Sequence, residues 1–163
     1  MSLFENDEYR WRETYFVLLH EEKRPPAEAV VAALRKVNEG YQVQNVRQDD
    51  AGRFESLTLY SPDDYAAMDI TYVTGDDVAE HTIEIVEQML PLVAKDERAK
   101  LKSLPEYSAR LDVYHFEQLV FEGPADDDDM DDFMDPGSLL IVLETLARLT
   151  KGVGVDQESG TLI

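Results

Sequence analysis

The spacing of apolar side chains at the start of the chain changes from a strand period to a helix period. Residues 13–20, ETYFVLLH, are aromatic or aliphatic on both alternating faces, which predicts a strand in the interior of a sheet. From Ala27 the apolar residues recur every three or four positions, which predicts an amphipathic helix. Pro26 is expected as its first residue and Gly40 as a left-handed cap. The chain therefore begins with a strand followed by a helix.

Three short segments with strand-like alternation follow, at residues 41–48, 54–60 and 66–74. The turn-forming sequences DDAG and SPDD separate them, so consecutive segments are close enough to pair as an antiparallel meander. In the third segment Met68, Ile70 and Tyr72 share one face, and Asp69 and Thr71 share the other.

The second half of the chain alternates helices with strands. Gly75 and the pair Asp76 and Asp77 predict a turn and an N-cap, followed by a helix with one broad apolar face that ends or kinks at Pro91. The remaining predicted elements are a polar helical piece at 96–104, a strand covered on both faces at 109–121, an apolar helix at 138–152 and a strand at 153–155.

This order of elements predicts an α+β fold with a mostly antiparallel sheet and helices packed on one face. Over residues 13–121 the pattern resembles a ferredoxin-like arrangement with an extra strand, to which a C-terminal helix and strand are added. The resemblance concerns the fold alone, because fold does not imply activity. We expect a single domain over residues 1–163, with an acidic loop at 124–135.

Composition excludes several classes of function. The chain has 35 acidic and 15 basic residues and a formal net charge of −20 at pH 7, so it repels phosphate backbones and anionic lipids. The same charge permits a basic protein partner, a bound cation, or mimicry of nucleic acid toward a nucleic-acid-binding protein. It contains no cysteine, which excludes disulfides, thiolate zinc sites and thiol nucleophiles. The sequence shows neither a signal-peptide pattern nor an apolar run of about 18 residues, so we expect a cytoplasmic protein.

None of the familiar catalytic motifs is complete. The HEEKR sequence at 20–24 lacks the second histidine of the zinc-protease motif, and HFE at 115–117 lacks the cysteines of zinc deaminases. A structural role is the leading interpretation of all three histidines, His20, His81 and His115. His115 is also a candidate proton carrier or metal ligand, because it lies two positions before Glu117 and upstream of the acidic loop.

That loop contains seven aspartates within the ten positions 126–135. The calcium-loop pattern fits only the frame that begins at Asp127, in which Asp127, Asp129 and Asp131 occupy positions one, three and five. The sixth position is Asp132 instead of glycine and the twelfth is Ser138 instead of glutamate, which excludes an EF-hand. A looser divalent-cation site at Asp127, Asp129 and Asp131 stays open.

Two other interpretations of the loop stay open beside the metal site. Blocks of like charge are typical of solvated loops, whereas alternation of acidic and apolar residues is typical of partner-binding segments. The partner-binding hypothesis assigns contacts to Asp126, Asp127, Asp128, Asp129, Met130, Asp131, Asp132 and Phe133. At the end of the loop, Asp135 and Pro136 are expected as the N-cap and first residue of the next helix.

The apolar helix at 138–152 predicts an unusual surface. Ile141 falls on its polar side and Leu140 at the edge, so either another part of the chain or a second copy is expected to cover it, and a homodimer through this helix stays open. The leading hypothesis is a non-enzymatic cytoplasmic domain that acts through protein–protein contacts. The alternatives are a divalent-metal-dependent hydrolase with His115 as base, and a small-molecule-binding regulatory domain.

Overall fold

The computed structural model describes residues 8–62, 65–118, 136–157 and 159–163. The described elements, in chain order, are β1 (Tyr9–Leu19), α1 (Ala27–Val37), β2 (Gln42–Gln48), β3 (Phe54–Ser61), β4 (Ala66–Thr74), α2 (Asp76–Met89), α3 (Arg98–Lys102), β5 (Ala109–Gln118), α4 (Pro136–Thr150), β6 (Val153–Asp156) and β7 (Thr161–Leu162). Single 3-10 turns occur at Glu21–Lys23, Lys95–Glu97 and Leu104–Glu106. None of the described helices combines the length and the apolar character that a membrane span requires.

The described strands form one seven-stranded antiparallel sheet in the order β2-β3-β4-β5-β1-β6-β7. The meander predicted for residues 41–74 is confirmed, since β2, β3 and β4 are neighbours in sequence and in the sheet. The interior positions predicted for β1 and β5 are also confirmed: β5 lies between β4 and β1, and β1 lies between β5 and β6. The α+β class follows from this arrangement.

The two faces of β1 contact different helices, because side chains alternate along a strand. Tyr15, Val17 and Leu19 pack in one apolar cluster with residues of α1 and α4. Phe16 and Leu18 pack in a second cluster with residues of α2, α3 and β6. We call these two sides of the sheet the α1/α4 face and the α2 face.

The prediction of helices on one face is therefore wrong. An apolar stripe along a helix shows that the helix packs on something, but it does not show on which side of the sheet. Here β1 is apolar on both sides, so both sides have to be covered. The ferredoxin-like arrangement is not confirmed, and seven strands exceed the count of a simple ferredoxin fold.

The helix ends differ from the expected caps. Pro26 occupies the N-cap of α1 with extended backbone instead of the first helical position, and the helix stops at Asn38. Gly40 has no left-handed backbone; its amide donates to the Asn38 side-chain oxygen at 2.8 Å, which forms the turn instead. In α2 the N-cap is Gly75, and Asp76 and Asp77 lie in the first turn. Their negative charges stabilise the helix there, because the N-terminal end of the helix dipole is positive.

The C-terminus of α4 has a close approach between a glycine and the sheet. The Gly152 amide donates to the Ala147 carbonyl at 2.9 Å after Lys151 adopts a left-handed backbone with φ of 54°. A Cβ atom at Gly152 would lie 2.0 Å from the carbonyl oxygen of Leu18 in β1. Only glycine fits this position without displacing the backbone, so the end of α4 lies directly against β1.

Candidate functional site

The acidic loop lies outside the described residues, and with it the partner-binding and metal assignments at Asp126, Asp127, Asp128, Asp129, Met130, Asp131, Asp132 and Phe133. Both assignments therefore stay predictions. Calorimetric titration with magnesium, calcium, manganese and zinc tests the metal site, because a site at Asp127, Asp129 and Asp131 requires binding heat that disappears when these three are asparagine. Within the described residues, no group of three or more acidic or histidine side chains is arranged to hold a metal ion.

A β-bulge in β1 builds the surroundings of His115. Trp11 pairs with Phe116 and Glu13 pairs with His115, so Arg12 is an extra residue on β1 that has no counterpart on β5. Glu13 lies on the α1/α4 face in regular alternation with Tyr15 and opposite His115, and the bulge brings Arg12 to the same face. Strand alternation alone would have separated Arg12 from Glu13.

His115 and Glu13 form the central pair of this site. The Nδ1 atom of His115 is 3.5 Å from the Oε1 atom of Glu13, and it is buried without a hydrogen-bond partner among the described residues. The hydroxyl of Tyr15 donates to the same Oε1 atom at 2.7 Å. Burial lowers the pKa of His115 below its ordinary value, and the negative charge of Glu13 partly opposes this change. The pair can therefore take up one proton on His115, and the negative carboxylate of Glu13 compensates the positive charge of the imidazolium.

Glu117 is bound by arginines instead of by His115. Arg10 and Glu117 are paired directly across β1 and β5 and form an ion pair, and the Nη1 atom of Arg12 lies 3.6 Å from the same Oε1 atom. Glu117, the expected neighbour of His115, therefore lies on the same face of β5 but forms ion pairs with Arg10 and Arg12. Glu13 takes its place. The alternating pattern of β1 shows which face Glu13 occupies, but it does not show that β5 pairs with β1 in this register, because strand pairing depends on contacts between distant segments.

A second polar cluster lies on the α2 face. The Nε atom of Arg110 donates to the Oδ1 atom of Asp112 at 2.6 Å, and its Nη1 atom donates to the Nδ1 atom of His81 at 2.5 Å. The guanidinium also lies 4.6 Å from the centre of the Phe16 ring. Burial raises the pKa of Asp112, and the charge of Arg110 opposes the change. This cluster connects α2 to β5 and β1 through polar contacts.

The other two histidines have structural surroundings, in line with their interpretation from the sequence. His20 stacks on Tyr107 with 4.6 Å between ring centres, and this contact connects the end of β1 to the segment before β5. His81 packs edge-on against Phe16 in addition to its contact with Arg110.

The α2 face also carries a polar groove, beside the part that α2 covers. The groove has a volume of about 200 Å³ and extends across β2, β3 and β4. Its polar lining consists of Asn45, Arg47, Ser56, Thr58, Asp69 and Thr71. The sequence pattern predicted that Asp69 and Thr71 share a face of β4, but nothing in it indicated that β2 would bring Arg47 to the same side.

Comparisons of the chain with protein-family models, with curated proteins and with solved structures found no match. The function is therefore argued from the geometry of these surfaces.

Proposed function

We propose that this chain is a non-enzymatic cytoplasmic domain that acts through protein–protein contacts. The contact surface consists of the acidic segment 124–135 and the outer side of α4, and the partner is a basic protein. The observation that carries this proposal is the exposure of two neighbouring large apolar residues, Leu140 and Ile141, which are 41% and 50% exposed. Four residues separate them from the acidic segment in the sequence.

The surroundings of the two residues support a contact surface. Glu144 and Arg148 form an ion pair one turn apart on the exposed side of α4, and Thr145 donates to the Ile141 carbonyl at 2.7 Å. An apolar centre with a polar rim is the usual anatomy of a protein interface. Burying Leu140 and Ile141 against a partner removes apolar surface from water, which contributes favourable free energy to the complex.

The charge of the chain favours a basic partner over a second copy of itself. A formal charge of −20 attracts a basic surface at long range and repels an identical chain, most strongly at low ionic strength. Aspartates at 126–135 contribute seven of the negative charges, and the last of them is five positions before Leu140 in the sequence. Complementary charge of this kind raises the association rate and selects the partner.

The experiment places a photo-activated cross-linking residue at position 141 and, as a matched control, at position 83. Ile83 is also 50% exposed but lies on α2, so the two positions differ in surface and not in accessibility. We expect a cross-linked protein at position 141 that is absent at position 83. Identical products at both positions would contradict a contact surface on α4.

A second measurement tests the acidic half of the surface. Replacing the seven aspartates of 126–135 by asparagine should weaken capture of the protein cross-linked at position 141 and reduce its dependence on salt, because charge attraction is screened by ions. If capture and its salt dependence stay the same, the acidic segment is not part of the binding surface.

A further inference from the structure

The polar groove on the α2 face is distinct from the surface proposed for partner binding. It lies over β2, β3 and β4, whereas α4 packs on the opposite face of the sheet. Thr58 of β3 is paired with Asp69 of β4, and Ser56 of β3 is paired with Thr71 of β4. The pairing places four hydrogen-bonding side chains in two adjacent rows at the centre of the groove.

A bulge in β2 brings an amide and a guanidinium to the edge of these rows. Gln44 pairs with Thr58 and Arg47 pairs with Ser56, so the chain advances three residues along β2 but only two along β3. Asn45, within the bulge, has a left-handed backbone with φ of 54°, a conformation that few residues other than glycine and asparagine adopt. Both Asn45 and Arg47 line the groove as a result.

The two charged groups of the groove have opposite signs and lie on opposite sides of it. Within the described part of the chain, Arg47 forms no ion pair, although the protein has 35 acidic residues. On the other side, the Oδ1 atom of Asp69 accepts a hydrogen bond from the Thr58 hydroxyl at 2.7 Å. A carboxylate can accept about four hydrogen bonds, so Asp69 can bind a ligand cation in addition to its contacts within the protein.

The dimensions of the groove limit the ligand. β2 and β4 are two strand spacings apart, which is roughly 10 Å between backbones, so a small molecule that lies over β3 fits between Arg47 and Asp69. A volume of about 200 Å³ equals that of about seven water molecules in the liquid. This is the size of a small metabolite.

We propose that the groove binds a free amino acid with a polar side chain. Arg47 binds the carboxylate, for which a guanidinium provides two parallel donors, and Asp69 binds the ammonium group. The hydroxyls of Ser56, Thr58 and Thr71 and the amide of Asn45 contact the polar side chain of the ligand. The site is independent of the partner-binding surface on α4.

The experiment uses the purified full chain and follows backbone amide signals by NMR during titration with L-serine, L-asparagine and L-glutamine. Each amino acid is compared with its N-acetyl derivative, which lacks the ammonium group, and with its methyl ester, which lacks the carboxylate. We expect shifts at residues 56–58 and 69–71 with at least one free amino acid. Both derivatives should bind about tenfold more weakly, because each loses one charged contact.

Two variants assign the contacts. In Arg47→Gln the methyl ester should bind as it does to the natural chain, while the free amino acid loses about tenfold. Arg35→Gln on α1 is the matched control, because Arg35 is also exposed and also forms no ion pair among the described residues. Asp69→Asn should remove the preference for a free ammonium group.

Either of two results overturns the proposal. One is that none of the three amino acids shifts the signals of the groove at millimolar concentration. The other is that the derivatives bind as tightly as the free amino acids. Because Arg47 is exposed, Arg47→Gln is expected to fold, and an unchanged melting temperature confirms that its result concerns binding.

Discussion

The Nδ1 atom of His115 lies 3.5 Å from the Oε1 atom of Glu13 across the pairing of β1 and β5. Burial favours the neutral imidazole at this position, and the carboxylate favours the protonated one. The protonation of His115 therefore reports on the strand register that places Glu13 opposite it.

Replacing Glu13 by glutamine should lower the pKa of His115 further. The substitution removes the negative charge that stabilises the imidazolium and leaves the burial that opposes it. Titration of the His115 ring signals by NMR measures the change. Glu28→Gln on the exposed side of α1 is the control and should leave this pKa unchanged. A pKa that stays the same in Glu13→Gln would show that the two side chains do not interact.

The stability of the protein should fall on mild acidification, in part because of His115. Its pKa in the folded state is below the ordinary value of 6.5, so the unfolded chain binds a proton at a higher pH than the folded chain does. The contribution is fully present above pH 6.5, decreases as the pH falls from that value, and is gone below the folded pKa. Urea unfolding of the natural chain and of His115→Gln on both sides of pH 6.5 measures it.

The His115→Gln variant should lose less stability than the natural chain as the pH falls below 6.5. Asp112 contributes to the pH dependence of stability with the opposite sign, because its raised pKa favours the folded state at low pH. This contribution is lost as the pH rises from the ordinary value of 3.8 through the pKa of the folded state. Equal losses of stability in the two proteins would show that His115 does not contribute to the destabilisation by acid.

Replacing Asp112 by asparagine should destabilise the fold by about 3 kcal/mol, because the buried guanidinium of Arg110 loses its counter-charge. The two side chains are only 12% and 7% exposed. Glu144→Gln is the matched control: it removes the partner of Arg148 in an ion pair that is exposed to solvent, and should change the stability by less than about 1 kcal/mol. Thermal and urea unfolding compare the two, and an equal effect would contradict the burial of the Arg110 pair.

Replacing Gly152 by alanine should cost about 3 kcal/mol, since the new Cβ atom would lie 2.0 Å from the Leu18 carbonyl oxygen and force the end of α4 away from β1. Gly52→Ala is the control. Gly52 has a left-handed backbone, with φ of 80°, but has no atom within 4 Å of the added methyl group. Its cost of about 1 kcal/mol comes from the backbone conformation alone. Unfolding in urea measures both, and a larger loss for Gly52→Ala would rule out the close approach at Gly152.

Much of the local structure could be predicted from the sequence, because helices and strands are signalled by the spacing of neighbouring residues. The alternation over 66–74 identified β4 and its two faces, with Met68 and Ile70 in the core and Asp69 beside the groove. The helical spacing after Ala27 and the turn at Gly75 located α1 and α2. The place of Ile141 on the polar side of its helix was also predicted, but another part of the chain or a second copy was expected to cover it, and in the described part of the chain Ile141 is 50% exposed.

The sequence by itself determined most of the helices and strands, which side of most of them is apolar, and that the chain is strongly acidic. Only the tertiary structure decided the sheet order, the placement of helices on both faces, the pairing of His115 with Glu13, and the meeting of Arg47 with Asp69 in one groove. The physical reason is the range of the interactions involved. Periodicity expresses contacts a few residues apart, whereas strand order, register and bulges depend on contacts between segments that are distant in the chain.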